Sequence, residues 1–149
     1  MNTKYIDLIS QTYYFPQEEF KLKDNNLEFH DINLMELIKE YGAPLKFTYL
    51  PKISENIQRA KGWFNNAIEK NNYKGNYNYC YCTKSSHFQH VLDEALTNDI
   101  HIETSSAFDI DIVEKMMKKG KINKDTFVIC NGFKRAQYVS NIARLINNG

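Results

Sequence analysis

Asn76-Tyr-Asn-Tyr-Cys-Tyr-Cys-Thr-Lys-Ser-Ser-His87 decides the fold class, because a regular alternation of helix and strand runs on from it. Asn76 to Thr83 reads as a strand, and Val91, Leu92, Ala95 and Leu96 then recur at helical spacing. Ile100 to Thr104 reads as the next strand. Phe108, Ile112, Val113, Met116 and Met117 mark a helix closed by Gly120, Thr126 to Cys130 a further strand, and Ala136 to Ile146 a last helix. Upstream, the apolar run Leu45 to Leu50 predicts a strand buried on both faces. Ile53, Ile57, Ala60, Phe64, Ala67 and Ile68 form a helical stripe after it. Four strand-helix units in succession predict an α/β fold with a parallel sheet and right-handed crossovers. Such a sheet is either open and doubly wound or part of a (β/α)8 barrel, and periodicity does not choose between them.

The residues before this alternation have another pattern. In Phe20-Lys-Leu-Lys-Asp-Asn-Asn-Leu-Glu-Phe29, alternating apolar residues flank Asp24-Asn25-Asn26, which have turn chemistry, so a β-hairpin is expected. Asn33 with Glu36 makes an N-cap pattern ahead of Leu34, Leu37, Ile38 and Tyr41, and Gly42 and Pro44 stop the helix. A boundary near Ala43 then separates an N-terminal segment, residues 1–43, from the alternating domain, residues 44–149.

Nineteen basic and eighteen acidic side chains spread along the chain leave a formal charge of +1, which argues against nucleic acid or anionic lipid as partners. The start MNTKYIDLISQTYYF lacks the basic and apolar regions of a leader, and no eighteen apolar residues stand in a row. Cys80, Cys82 and Cys130 cannot all pair within one chain, and two of them stand a residue apart in one strand. Reduced thiols and a cytoplasmic location are expected.

In parallel α/β folds, functional side chains gather at the C-terminal ends of strands. The stretches this selects are Cys82-Thr-Lys-Ser-Ser-His87, Glu103-Thr-Ser-Ser106 and Asn131-Gly-Phe-Lys134. Strand alternation puts Cys80, Cys82 and Lys84 on one face. A lysine on an apolar face has a depressed pKa, which supplies the neutral amine that imine chemistry needs; a lysine that has left the sheet for solvent is the plainer alternative. Glu103, at the end of the neighbouring strand, is placed to hold the lysine or a cofactor, or is a solvated loop carboxylate. Cys80 and Cys82 read as small core residues rather than a metal pair, His87 and His90 as solvated or capping, and Asn131-Gly132 as a turn.

Tyr81-Cys-Thr-Lys-Ser-Ser-His-Phe-Gln-His-Val-Leu-Asp-Glu-Ala-Leu96 resembles the lysine segment of the alanine-racemase-fold decarboxylases, which act on arginine, ornithine or diaminopimelate. His101-Ile-Glu-Thr-Ser-Ser-Ala-Phe-Asp-Ile110 is similar to that family's third-strand motif. Ile129-Cys-Asn-Gly-Phe-Lys134 resembles the biosynthetic arginine decarboxylases in particular, and Asp31 to Tyr49 the entry into the first barrel strand. Two positions depart from the pattern: Cys82 stands where the family prefers alanine or proline, and Ser86 where it has asparagine.

The resemblance implies a pyridoxal 5'-phosphate enzyme with Lys84 as the Schiff-base lysine and Glu103 positioning it or the cofactor. The substrate it implies is a basic amino acid, with arginine giving agmatine for polyamine synthesis. It implies that residues 44–149 are the first half of a (β/α)8 barrel, that the hairpin belongs to a second β-domain, and that the complete enzyme is a homodimer or higher oligomer. The phosphate cradle, the partner of the pyridine nitrogen and the substrate residues would lie beyond Gly149. Rival expectations are a diaminopimelate, ornithine or carboxynorspermidine decarboxylase, and a catalytically inactive homologue that works by binding. A doubly wound nucleotide binder is disfavoured, since no strand is followed by Gly-x-Gly-x-x-Gly or a phosphate loop.

Overall fold

A computed structural model describes residues 19–148, so the reading of the first fifteen residues as leader-free lies outside the described residues. The chain divides after Thr48 into two compact units.

The first unit is a three-stranded antiparallel meander, β1 (Phe20–Lys23), β2 (Asn26–Phe29) and β3 (Ile32–Asn33), followed by α1 (Leu34–Tyr41). The hairpin has Phe20 opposite Phe29 and Lys23 opposite Asn26, which leaves Asp24-Asn25 as a two-residue loop. Both loop residues have positive φ, 49° and 62°, the conformation whose twist matches that of the flanking strands. His30-Asp31 repeats the device at 49° and 63° and adds β3, which the sequence did not predict. Asn33 caps α1 as expected, its side chain accepting from the Met35 N–H at 2.9 Å and the Glu36 N–H at 3.3 Å. Phe29 packs on Phe20 and Phe47, with ring centroids 4.8 and 5.7 Å away.

The second unit contains α2 (Pro51–Lys70), β4 (Cys80–Cys82), α3 (Gln89–Leu96), β5 (His101–Thr104), α4 (Ala107–Lys118), β6 (Val128–Cys130) and α5 (Ala136–Asn147). Its sheet has the order β4-β5-β6, all parallel, with Cys82 beside Glu103 and Glu103 beside Ile129. The mixed α/β class is therefore as expected. The fourth parallel strand is not: among the described residues Leu45 to Leu50 takes no ladder partner, and Lys46, Phe47 and Thr48 are exposed. An apolar run specifies faces that would be buried, but not the neighbour that must satisfy its N–H and C=O groups.

Alternate strand residues sort the two faces of this sheet. Ile102, fully buried, packs with Leu92, Val113, Met116 and Ile122, and Tyr81 and Val128 close over the same cluster. Ile57 on α2 joins Ala95, Ile100, Tyr79 and Tyr81 on that side. Tyr138 on α5 bonds the buried Thr104 hydroxyl at 2.9 Å. Helices α2 to α5 thus all touch one set of sheet side chains. The other set, Cys80, Cys82, His101, Glu103, Phe127 and Ile129, meets no helix in these clusters, and Phe127 and Ile129 are about half exposed.

The expected apolar stripe of α2 is buried fully only at Ile57; Phe64 is half exposed and stacks on Tyr77. Polar contacts with the turn after α3 add to the packing of Ile57 on Ala95. Buried Asn98 donates to Ser54 Oγ at 2.8 Å and accepts from Gln58 at 2.9 Å, while Lys61 Nζ donates to the carbonyls of Asn98 and Asp99 at 2.9 Å. Among the described residues, no helix is long and apolar enough to cross a membrane.

Candidate functional site

The parallel register brings the C-terminal ends of β4, β5 and β6 to one edge of the sheet. Lys84 stands in the turn after β4, which Ser85 closes by donating its N–H to the Cys82 carbonyl at 3.1 Å and its hydroxyl to the same oxygen at 2.8 Å. Glu103 is on β5 and Asn131 one residue beyond β6. All three share the face that meets none of the helices α2 to α5 in the buried clusters.

One carboxylate oxygen joins them. Glu103 Oε1 accepts from Asn131 Nδ2 at 3.1 Å, from Lys84 Nζ at 3.3 Å and from the Cys82 thiol at 3.6 Å. Asn131 is itself fixed: its N–H donates to the Thr104 carbonyl at 2.7 Å and its Oδ1 accepts from the Gly132 N–H at 2.7 Å. Glu103 is only a quarter exposed, whereas the Lys84 side chain is 60% exposed. The carboxylate is therefore the more enclosed member of the pair, held by Asn131, and the ammonium the more exposed one.

The charges are set by these contacts. The Asn131 hydrogen bond, ahead of those from Lys84 and Cys82, holds the Glu103 carboxyl below the usual glutamate range against some desolvation. The Glu103 hydrogen bond, with Cys82 and Glu103 charge behind it, raises Lys84 above the ordinary lysine range. This reverses the depressed pKa expected from strand alternation. The face around Lys84 includes Glu103, which cross-strand register supplies and the residues of β4 alone do not reveal. Burial pushes the Cys80 thiol up, with Glu103 adding to it.

Glu103 stabilises the fold above its unfolded-state pKa, and that contribution is lost as pH falls through its lowered folded value. Lys84 contributes below its unfolded-state pKa and loses this as pH rises through its raised value. The Glu103 carboxyl carbon, followed by NMR, should titrate at a midpoint below that of free glutamate. Asn131→Ala should move the midpoint upward, and an unmoved midpoint would remove Asn131 from this role.

Sequence reasoning takes Asn131 for a turn residue and misses it as a carboxylate donor. The usable signal is parity, since Asn131 continues the Phe127 and Ile129 face of β6 and so meets Glu103. Gly132 beside it has φ +79°, and a Cβ there would lie 2.8 Å from the Ser105 carbonyl oxygen. Gly132→Ala should cost about 1–3 kcal/mol of stability in urea denaturation, because a backbone carbonyl cannot step aside.

His87 and His90 do not share a helix face: His87 precedes α3 and packs edge-on to Phe108 at 5.7 Å, while His90 stacks on Phe88. No group of three or more His, Cys, Asp or Glu side chains converges as a metal site among the described residues. Lys134 folds back onto the carbonyls of Cys130 and Gly132 at 3.0 and 2.8 Å. A cleft of about 400 Å3 runs between the start of α4 and the β6–α5 loop, lined by Ser105, Ser106, Gly132, Phe133, Arg135 and Tyr138.

The class defined by fold and site is a mixed α/β protein with an exposed lysine paired to a more enclosed carboxylate at the C-terminal edge of a parallel sheet. Compared with known proteins, the chain matches no family model and no curated protein.

Proposed function

We propose that this chain is part of a pyridoxal phosphate-dependent decarboxylase of basic amino acids, with arginine the favoured substrate and Lys84 the residue that attaches the cofactor. The observation that carries the reading is the pairing of Lys84 Nζ with Glu103 Oε1 at 3.3 Å, at the strand ends where α/β enzymes place their chemistry. The resemblance of the segments around Lys84, Glu103 and Asn131 to the alanine-racemase-fold decarboxylases supports the same assignment and gives the substrate class.

The residues present fit the attachment end of such a cofactor. Lys84 is reachable from solvent, and its partner Glu103 occupies the nitrogen without covering it. When bound, pyridoxal phosphate supplies the electron sink for loss of carbon dioxide. The chain's own part is to present Lys84 Nζ. Glu103 Oε1 orients this nitrogen, Asn131 holds the carboxylate in place, and the lowered Glu103 pKa suits a positioning role rather than proton donation.

In this reading residues 44–149 contribute the early units of a (β/α)8 barrel, and residues 1–43, with the hairpin, belong with a second β-domain. Packing of α2 to α5 on the sheet face opposite Lys84, as seen among the described residues, agrees with a barrel wall, whereas a doubly wound sheet has helices on both faces. A second reading, an inactive homologue that acts by binding, is favoured by the unpaired outer edges of β4 and β6 among the described residues.

Titration with pyridoxal phosphate, monitored by the absorbance of a protonated imine, tests the assignment. Borohydride reduction and peptide mapping should then place the label on Lys84. A folded chain that takes up no label, or takes it up evenly on its exposed lysines, would overturn the reading.

A further inference from the structure

A second cleft lies on the helical side of the alternating unit. It holds about 170 Å3 between α3 and α4, with Leu92, Ile112 and Met116 in its lining and Lys115, Lys119 and Lys121 beside them. Its lining carries three lysines against one carboxylate, Asp93. From Lys115 to Lys124 the chain carries Lys115, Lys118, Lys119, Lys121 and Lys124 with no carboxylate, and all five are exposed. The run is bounded by Glu114 and Asp125, and three of its lysines, Lys115, Lys119 and Lys121, line the cleft.

Local needs account for part of this charge. Lys115 and Lys118 lie in the last turn of α4, where cations complement the helix dipole. Lys121 pairs with Asp93 at 3.4 Å, and Lys119 donates to Gln89 Oε1 at 3.3 Å. Among the three lysines that line the cleft, Lys121 is offset by Asp93, and Lys115 and Lys119 keep their charge beside Leu92, Ile112 and Met116.

We propose that this cleft docks an acidic peptide segment, seating one aliphatic side chain against Leu92, Ile112 and Met116 while flanking carboxylates meet the lysines. Charge complementarity selects an anionic partner, and the small apolar cavity selects one that offers an aliphatic anchor between its charges. A nucleic acid strand would use the lysines but leave Leu92, Ile112 and Met116 unused, with His87 the one ring in the lining on which a base could stack. The proposal is independent of the role assigned to Lys84.

The test is fluorescence anisotropy of a labelled Glu-Glu-Asp-Leu-Glu-Glu peptide titrated with the full chain. Saturable binding that weakens with salt is expected. Exchanging the peptide leucine for serine should weaken it about tenfold or more, the scale of burying one leucine side chain. The double variant Lys115→Glu with Lys119→Glu should do likewise while keeping its circular dichroism. Absent binding, or binding indifferent to the leucine exchange, would overturn the proposal. So would displacement of the peptide by a lower concentration of single-stranded oligothymidine, or by phosphatidylserine vesicles that capture the chain more tightly than the peptide does.

Discussion

With Lys84 replaced by alanine, borohydride should trap no pyridoxyl group at the strand edge, and the saturable absorbance change of the unsubstituted chain should disappear. The expected effect is complete loss, because no other side chain among the described residues offers an amine to Glu103 Oε1. Lys84→Arg separates chemistry from folding, since a guanidinium keeps the charge pair with Glu103 but does not form the covalent bond. That variant should match the parent in thermal unfolding and match Lys84→Ala in labelling. The raised Lys84 pKa adds a further signature. Its neutral fraction at any pH below that value is smaller than that of an ordinary exposed lysine, so selective labelling must come from affinity for the cofactor and not from amine basicity. Label that moves to other lysines in Lys84→Ala at unchanged yield would therefore refute the assignment.

Ile102→Ala should be the most damaging single truncation in the sheet unit, costing about 2–5 kcal/mol as core isoleucine truncations do. Ile102 is fully buried on the central strand and touches residues from α3, α4 and the α4–β6 loop, so the void has walls fixed on several sides. Against a domain stability of about 5–15 kcal/mol, that loss is a large share of the total. Urea unfolding monitored by Trp63, the single tryptophan, should show a lower midpoint with an unchanged slope. A midpoint shift worth less than about 1 kcal/mol would mean that the cluster relaxes around the void.

Elements whose determinants are local were legible in the sequence. Asp24-Asn25 announces the hairpin, Asn33 announces the start of α1, and the spacing of Val91, Leu92 and Ala95 gives the buried face of α3. Strand parity likewise set Cys80, Cys82 and Lys84 on one side. What failed depended on partners distant in sequence. Leu45 to Leu50 has the composition of a strand without a ladder to join, and α2 is held in part by Asn98 and Lys61 contacts that no apolar period encodes. Glu103 was placed beside the lysine from the sequence, but the direction of the Lys84 shift also needed the exposure of its side chain and the hydrogen bond to Glu103. Asn131 became visible as a donor only once β6 was placed next to β5.

The two kinds of sheet in this chain also assemble on different clocks. In the meander, Phe20 meets Phe29 across a two-residue loop, so each ladder closes almost as soon as its turn forms, on the scale of microseconds for hairpins. In the parallel sheet, Cys80 must find His101 and Ile102 must find Val128 across intervening helices, and the entropy of closing each long loop is spent before any strand pairing rewards it. During synthesis the first ribbon can form within its own short stretch of chain. The edge that aligns Lys84 with Glu103 waits for α3 to emerge, and the link to Asn131 waits for β6.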